Sequence, residues 1–287
     1  MDLADAFVQQ RAMRRIALYL ISALVLLGIF GLDSAVQDAR VVRYTVAVVG
    51  LKAPLRIVQV SDSHANWLNM PPVRLERVAR LIEAQRPDLV VLSGDYSGSH
   101  LVEWPKMRLE KALAPLAAIK APLGVFAVLG NHDNPYWTKW VFARTPVRLL
   151  VADWADIGPI VLVGVESLAI PPDPYGNFRR AVQRAPTDKP LIALSHEPDF
   201  FQHMPTRVQV LIAGHTHGGQ ILLPFIKRQS TNQFVARHLR GVFYEHGQTL
   251  VVSSGLGTSI IPFRIGVPPE IAVITLVPAA VAARPPG

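Results

Sequence analysis

Residues 208–220, with the sequence VQVLIAGHTHGGQ, decide how the chain is interpreted. The first six residues are β-branched or otherwise mostly apolar and predict a buried strand that stops at Gly214. His215 and His217 follow at a spacing of two, which in an extended segment directs both imidazoles to one side. Neutral imidazole commonly binds divalent transition metals. In isolation the pair could also be two surface histidines in a turn, so the interpretation depends on the rest of the chain.

Composition narrows the class of protein. The chain has 287 residues, half of them hydrophobic, which is enough for one large domain or two small ones. The net charge of +8 favours an anionic partner such as nucleic acid, phospholipid headgroups or a phosphorylated substrate. No basic recognition helix or aromatic RNA-binding motif accompanies this charge, so we expect no nucleic-acid partner. The chain has no cysteine, which excludes disulfides, thiolate ligands and a cysteine nucleophile.

An uncharged apolar run at residues 16–32 is long enough to cross a bilayer as a helix. Arg11, Arg14 and Arg15 precede it and place the N-terminus in the cytoplasm by the positive-inside rule. No small-residue cleavage site follows, so we expect a retained, single-pass anchor in a bacterial inner membrane. The rest of the chain is then periplasmic or extracellular, with the cytoplasmic face as the alternative. A buried core helix is the alternative to an anchor.

The remaining chain alternates short apolar runs with amphipathic stretches. This pattern predicts strands at 56–60, 89–92, 125–129, 160–164, 191–194, 208–213, 241–245, 249–253 and 271–276, and helices at 73–85, 106–119 and 178–185. The fold class is therefore α/β and layered. We divide the chain into a cytoplasmic segment (1–15), the anchor (16–32), a linker with the first strand (33–53), the main domain (54–277) and a disordered proline-rich tail (278–287).

Polar side chains follow five of the predicted strands. Ligands in α/β sheets gather where strands deliver loops at their carboxyl ends. Carboxylate, amide and imidazole donors without thiolate suit Mn²⁺, Fe or Zn²⁺, and they are numerous enough for two divalent ions sharing a carboxylate. The candidate metal ligands are Asp62, His64, Asp95, Asn131, His196, His215 and His217.

The order D-x-H, G-D, G-N-H-D, H, G-H-x-H resembles the calcineurin-like metallophosphoesterase superfamily. The resemblance covers about residues 55–276 and is strongest to the bacterial membrane-anchored branch, through GHTHGGQ and the later stretches GLGTS and RIGVPPE. It implies a four-layer sandwich of two facing mixed β-sheets flanked by helices.

The resemblance also implies roles for the residues. One metal would bind Asp62, His64, Asp95 and His217, and the second would bind Asp95, Asn131, His196 and His215. His132 would stabilise the transition state and protonate the leaving oxygen.

The residues independently favour His132 as a non-ligand, because neighbours in an extended segment point to opposite sides. Many relatives have a second acid in G-D-x-x-D that orients this histidine, but Gly98 occupies its place here. Asp133 or a nearby serine is the alternative orienting group.

Two clusters bear on the substrate. A group of aromatic residues could form an apolar surface that meets the membrane, or could be packed against the domain: Trp67, Trp104, Tyr136, Trp137 and Trp140. A basic group could bind phosphate or lipid headgroups, or be a solvated loop: Lys227, Arg228, Arg237, His238 and Arg240.

These observations predict a membrane-anchored, binuclear-metal phosphoesterase that hydrolyses a phosphodiester or pyrophosphate by metal-activated hydroxide. The substrate would be a phosphorylated small molecule or a lipid-linked one. One alternative, implied by the resemblance, is a UDP-diacylglucosamine pyrophosphatase of lipid A synthesis on the cytoplasmic face. An alternative of another class is an inactive, metal-stabilised, membrane-anchored binding protein.

Overall fold

The computed structural model describes residues 3–101, 107–223 and 232–279. The helices are α1 (Leu3–Val36), α2 (Pro72–Ala84), α3 (Leu109–Ala117), α4 (Pro135–Phe142), α5 (Pro174–Arg184) and α6 (Gln233–Arg237). The strands are β1 (Arg40–Val48), β2 (Leu55–Val60), β3 (Leu89–Leu92), β4 (Ser99–His100), β5 (Val125–Ala127), β6 (Arg148–Leu149), β7 (Asp153–Asp156), β8 (Val161–Gly164), β9 (Leu191–Leu194), β10 (Val208–Ala213), β11 (Gly241–Glu245), β12 (Gln248–Val252), β13 (Ser259–Ile260) and β14 (Glu270–Pro278). Trp104, Lys227, Arg228 and most of the predicted tail, residues 280–287, lie outside the described residues.

Two six-stranded mixed sheets form the centre of the domain. The first has the order β1-β14-β2-β3-β5-β6, and the second has the order β11-β12-β10-β9-β8-β7. Strands β2, β3 and β5 are parallel neighbours in the first sheet, as β9 and β10 are in the second. Their carboxyl ends therefore deliver loops to a common edge.

Apolar side chains hold the layers together. Ile57 and Leu89 of the first sheet pack with Leu162 and Ile192 of the second in the core between the sheets. The outer face of the first sheet is covered by α2, α3 and α4, and that of the second by α5 and the 3₁₀ turn Pro198–His203. The layers run helix, sheet, sheet, helix, so the predicted sandwich is confirmed.

The helix α1 is longer than the predicted apolar run. Gln9–Val36 is apolar and long enough to cross a membrane, with a mean hydropathy of 2.2 in its most apolar window. Its side chains from residue 9 to residue 26 are exposed, so it is not a core helix of this domain. α1 is therefore a candidate membrane span.

The end of α1 is fixed to the domain. Only residues 37–39 separate it from β1, which pairs along its whole length with β14. The predicted stretch 33–53 is thus mostly helix end and sheet. A first strand was predicted within 33–53 but without bounds, because the polar and basic residues of β1 interrupt its alternation, and an edge strand can have polar residues on both faces.

Candidate metal centre

The five strand ends predicted to carry ligands converge between the two sheets. Two clusters of donor atoms face each other there and contain six of the seven candidate ligands, and the seventh, Asp95, lies between them. The atoms of the first cluster are Asp62 Oδ1, His64 Nε2 and His217 Nε2, and those of the second are Asn131 Oδ1, His196 Nε2 and His215 Nδ1.

The first cluster is buried. His64 Nε2 lies 3.1 Å from His217 Nε2, which lies 3.5 Å from Asp62 Oδ1. All three side chains are buried. The second ring nitrogen of His64, Nδ1, is 3.0 Å from the Ser97 carbonyl oxygen. A proton on Nδ1 satisfies that carbonyl and leaves the Nε2 lone pair directed at the cluster.

The second cluster has the same compactness. Asn131 Oδ1 lies 3.0 Å from His196 Nε2 and 3.0 Å from His215 Nδ1, and the two ring nitrogens are 3.1 Å apart. His196 Nδ1 lies 2.8 Å from the Ser93 carbonyl oxygen. That contact fixes the ring so that Nε2 faces inward.

Asp95 stands between the clusters. Its Oδ2 atom is 3.4 Å from His64 Nε2 and 3.4 Å from His196 Nε2. Its Oδ1 atom accepts a hydrogen bond from the His132 backbone N–H at 2.9 Å. One carboxylate oxygen is therefore equidistant from both clusters, which is the place of a ligand shared by two ions.

The hydrogen bonding of the donor atoms favours a bound cation. Asp62 Oδ2 accepts hydrogen bonds from the Ser61 hydroxyl and from His215 N–H, but the buried Oδ1 atom has no hydrogen-bond partner within the described part of the chain. A buried carboxylate oxygen without a partner is costly, and a metal ion would satisfy it. Carboxylate, amide and imidazole donors together suit Mn²⁺, Fe or Zn²⁺.

The backbone φ angles, rather than the alternation of a strand, determine the directions of these side chains. Five candidate ligands have positive φ: Asp62, His64, Asp95, His215 and His217. The predicted extended segment at GHTH is therefore wrong, because β10 has ended and the chain turns. His215 and His217 consequently point into different clusters. Such strained residues cost about 1–3 kcal/mol each and concentrate at functional sites.

Two glycines let the ligand loops approach. A Cβ at Gly130 would overlap the Asp95 carboxylate, and a Cβ at Gly214 would overlap the Ser61 hydroxyl. Any side chain at either position would displace a candidate ligand or the group that supports it.

Asp133 connects the ligand loops but does not contact the His132 ring. Its Oδ2 atom accepts from the N–H groups of Asp95 and Gly130, and its Oδ1 atom accepts from Tyr96 N–H, each at 2.8 Å. Both oxygens are thus occupied, and the hypothesis that Asp133 orients His132 is wrong.

The alternative of an orienting serine is also not realised. Ser99 Oγ lies 3.0 Å from His64 Nδ1 instead. No described side chain hydrogen-bonds to the His132 ring, which is exposed, with its centroid 5.4 Å from that of His64. Asn131 and His132 therefore face different halves of the centre, across a turn rather than an extended segment.

Burial controls the ionisation of the donors. It lowers the pKa of His64 to about 4 and that of His215 to about 3, and it raises the pKa of Asp62 to about 6. Burial alone would also keep His196 neutral, but the Asp95 carboxylate holds the pKa of His196 well above its usual range. The Asp95 charge therefore favours the protonated form of His196.

An open cleft of about 800 Å³ leads to the centre. Asp95, Asn131, His132, His215 and His217 lie at its floor. Its walls include six apolar residues: Leu168, Ala169, Ile221, Val235, Ile260 and Ile261. A substrate with both a phosphate and an apolar part would match this surface.

The aromatic group does not line the cleft. Tyr136, Trp137 and Trp140 contact one another edge to face on α4, with ring centroids 5.0 and 6.2 Å apart along the series. Trp67 lies separately, with Lys111 Nζ 5.5 Å from its ring. All four are exposed.

Only some residues of the predicted basic group are exposed in the structure. His238 is buried, with Nε2 2.7 Å from Glu245 Oε1, so it is not part of an exposed basic surface. Arg237 and Arg240 are exposed.

Two supporting residues were not singled out from the sequence. Ser61 hydrogen-bonds to Asp62, and Arg264 is fully buried beside the first cluster, with Nη2 3.4 Å from His217 Nδ1. The Arg264 guanidinium donates to the carbonyls of Ser254 and Gly257, each at 2.8 Å. The signal for Arg264 was its place in the stretch RIGVPPE.

Two mixed sheets carrying such a centre at their strand ends define a class of metal-dependent hydrolases. The family model described as calcineurin-like phosphoesterase matches residues 55–219, and the chain belongs to this family. It is therefore a metal-dependent phosphoric ester hydrolase, of a family that uses a dimetal centre.

Similar proteins come from distant organisms. An uncharacterized metallophosphoesterase of Aquifex aeolicus is 28% identical over 247 residues, which cover 83% of this chain and 91% of that protein. The UDP-2,3-diacylglucosamine pyrophosphatase LpxG of Chlamydia trachomatis is 30% identical, over 77% of this chain and 83% of that protein. A transmembrane protein with metallophosphoesterase domain from Danio rerio is 29% identical, over 95% of this chain and 65% of that protein.

Proposed function

We propose that the chain is a membrane-anchored phosphoesterase that uses two divalent metal ions to hydrolyse a phosphodiester or a pyrophosphate. The observation that carries this proposal is the position of Asp95 Oδ2, 3.4 Å from a histidine of each donor cluster at the floor of an open cleft. Such an arrangement supports two adjacent ions rather than one.

Each ion would have four protein donors. The first would be held by Asp62, His64, Asp95 and His217, and the second by Asp95, Asn131, His196 and His215. When bound, two such ions lower the pKa of the attacking water and stabilise the charge that develops on the phosphoryl oxygens. Mn²⁺ is our first choice, with Fe and Zn²⁺ as alternatives, because the donors are a mixture of oxygen and imidazole nitrogen.

His132 is assigned to proton transfer. Its ring is exposed at the cleft floor and contacts neither cluster through a ring hydrogen bond within the described residues, so it is free to reach a substrate. Its backbone N–H is fixed on Asp95 Oδ1 at 2.9 Å. The imidazolium can donate a proton to the leaving oxygen, while the open cleft leaves room for the departing group.

Membrane attachment is part of the proposal. α1 is long and apolar enough to span a bilayer, its outer surface is exposed, and its last turn is joined to the domain by hydrogen bonds. The relative from Danio rerio carries "transmembrane" in its name. We propose a single-pass anchor, with the N-terminus in the cytoplasm because Arg11, Arg14 and Arg15 precede the apolar run.

The similarity to LpxG favours a second, more specific candidate, hydrolysis of the pyrophosphate of a UDP-diacylglucosamine. Its substrate has a charged pyrophosphate and two acyl chains, which would match the cleft with its polar floor and apolar wall. This candidate goes with the cytoplasmic orientation of the domain.

Hydrolysis assays with the purified, Mn²⁺-loaded full chain test these candidates. The substrates are p-nitrophenyl phosphate, bis-p-nitrophenyl phosphate and a nucleotide-lipid panel, and His132→Ala is the matched inactive control. We expect turnover of bis-p-nitrophenyl phosphate above the monoester. Cleavage confined to the nucleotide lipid would favour the second candidate. Metal binding without turnover of any substrate would favour a binding protein.

A pair of fusions tests the orientation. Alkaline phosphatase is active only outside the cytoplasm, so its fusion to the C-terminus should be active in cells. An inactive alkaline phosphatase fusion together with a fluorescent GFP fusion would place the domain in the cytoplasm, and would move the nucleotide lipid to first place.

A further inference from the structure

Four exposed apolar side chains lie on segments linked to the end of α1, three of them on loops and one at the end of β13. Trp67, Leu68, Leu101 and Ile260 are 45%, 63%, 79% and 57% exposed, and we call this set the apolar rim. Exposed apolar residues that cluster, rather than scatter, mark surfaces that contact proteins or membranes.

A single side chain, Thr258, joins the two halves of the rim. Its Oγ1 atom lies 2.7 Å from Asn69 Nδ2, in the loop that carries the first two rim residues. The same atom lies 2.7 Å from His100 Nε2, at the end of β4. β4 pairs with β13, and Leu101 N–H donates to the Ile260 carbonyl at 3.0 Å. Hydrogen bonds therefore join the loops and the two-stranded sheet that carry the rim.

The rim adjoins α1 through two independent connections. The buried Arg74 guanidinium donates to the Ala35 carbonyl at 2.7 Å and also to the Asn69 carbonyl, so it ties the last turn of α1 to the rim loop. On the other side, Arg264 N–H donates to the Gly31 carbonyl at 3.0 Å. Because both ends of this connection are fixed, the rim cannot move far from the point where α1 meets the domain.

The rim also continues into the cleft. Ile260 and its neighbour Ile261 line the cleft wall, together with Ile221 and Val235. The rim and the cleft wall therefore share Ile260.

We propose that the apolar rim rests in the interfacial layer of the bilayer that α1 enters, and that the substrate is a lipid phosphate ester taken directly from that layer. The acyl chains pass over Ile260 and Ile261 while the phosphorus reaches the metal centre. Continuity with α1 identifies the occupant, because a bilayer surrounds that helix wherever it is inserted, and Trp67 is of the residue type that settles at the interface. This inference rests on the proposed membrane anchor and phosphoesterase activity.

Two substrates with the same leaving group test the proposal. The full chain, loaded with Mn²⁺, is placed in phosphatidylethanolamine–phosphatidylglycerol nanodiscs. One substrate is water-soluble bis-p-nitrophenyl phosphate, and the other is a p-nitrophenyl ester of phosphatidic acid carried in the same nanodisc. In each case water adds to phosphorus, the bond to p-nitrophenolate breaks, and the water proton passes to solvent. The readout is the ratio of the lipid rate to the soluble rate.

The test variant is the double substitution Leu68→Gln and Leu101→Gln, which removes apolar surface without adding charge. We expect the ratio to fall about tenfold, with an unchanged rate on the soluble substrate, because two exposed leucines no longer favour membrane contact. Val49→Gln is the matched control, since Val49 is 68% exposed but follows the far end of β1, on the order of 30 Å along the strand from α1. An unchanged ratio in the double variant would overturn the proposal, as would an equal loss on both substrates.

A second measurement does not depend on activity. Nanodiscs with brominated acyl chains quench tryptophans that touch lipid, so Trp67→Phe should lower the quenched fraction of the fluorescence. Trp154→Phe, on the edge strand β7, is the control and should not lower it. A quenched fraction unaffected by Trp67→Phe would overturn the rim contact. If the wild-type chain hydrolysed neither substrate, the proposed function would fail, while the quenching would still decide whether the rim touches lipid.

Discussion

Asp133→Asn tests whether one buried carboxylate holds the ligand loops together. The three N–H groups that Asp133 accepts belong to Asp95, Tyr96 and Gly130. An asparagine oxygen at the Oδ2 position would keep two of these bonds. Its amide nitrogen would then face Tyr96 N–H, so one buried donor loses its acceptor.

The expected cost follows from that single loss. An unsatisfied buried donor costs about 1–3 kcal/mol, so the free energy of unfolding should fall by that amount. Part of the cost is offset, because burial and the Asp95 charge raise the pKa of Asp133 to about 7 and the substitution removes that repulsion. The second ion should be weakened more than the first, since two of its four donors, Asp95 and Asn131, belong to the loops that Asp133 connects.

The assay combines denaturant unfolding of the metal-free protein at pH 8, where Asp133 is ionised, with titration of Mn²⁺. Asp188→Asn is the matched control, because Asp188 is exposed and should change stability by less than about 0.5 kcal/mol. Equal effects of the two substitutions on stability, or equal weakening of both ions by Asp133→Asn, would refute the assigned role.

Three further predictions follow from the centre. His132→Ala should lower turnover roughly 10²–10⁴-fold and leave the metal content unchanged, as measured by kinetics and elemental analysis, and loss of metal would make His132 a ligand. Calorimetry in buffers of different ionisation enthalpy should show one proton released on metal loading near neutral pH, because Asp95 raises the pKa of His196. A second proton should be released below about pH 6, where Asp62 is protonated. The apparent metal affinity should therefore fall as pH falls, and a pH-independent affinity would contradict this. Gly130→Ala should abolish binding of at least one ion, because its Cβ would overlap the Asp95 carboxylate, and full metal content with normal turnover would show that the loop can yield.

Much of the fold was predictable because its strands are short and strongly apolar. Leu89–Leu92, Leu191–Leu194 and Val208–Ala213 were predicted with the observed bounds, and each is buried along nearly its whole length. Buried parallel strands have continuous apolar sequences, so the first and last residue of each strand can be identified from the sequence. The arrangement in two facing sheets came from the family resemblance, since periodicity does not specify which strands pair.

Other elements carried no such signal. α4 (Pro135–Phe142) has three aromatic residues on exposed positions, and its start depends on Asn134 accepting from Trp137 N–H. β7 has only four residues, two apolar ones between two aspartates, and so shows no alternation. Such short elements are decided by tertiary contacts rather than by local pattern.

The site shows the same division. The residue types and the strand ends were predictable, because chemistry dictates the donors and topology brings the ends together. The orientation of the donors was not, because positive φ at Asp62, His64 and Asp95 is imposed by neighbouring loops. The role of Asp133 was missed for a related reason, since its three partners are backbone groups that no sequence motif reveals.

The metal content of the full chain tests the central claim most directly. After loading with Mn²⁺ and removal of free metal, elemental analysis should give two ions per wild-type chain and per His132→Ala chain. Asp95→Asn should retain about one ion or fewer, because the shared oxygen is weakened as a ligand. One ion or none in the wild-type chain, or equal contents in Asp95→Asn and His132→Ala, would contradict a centre built on Asp95.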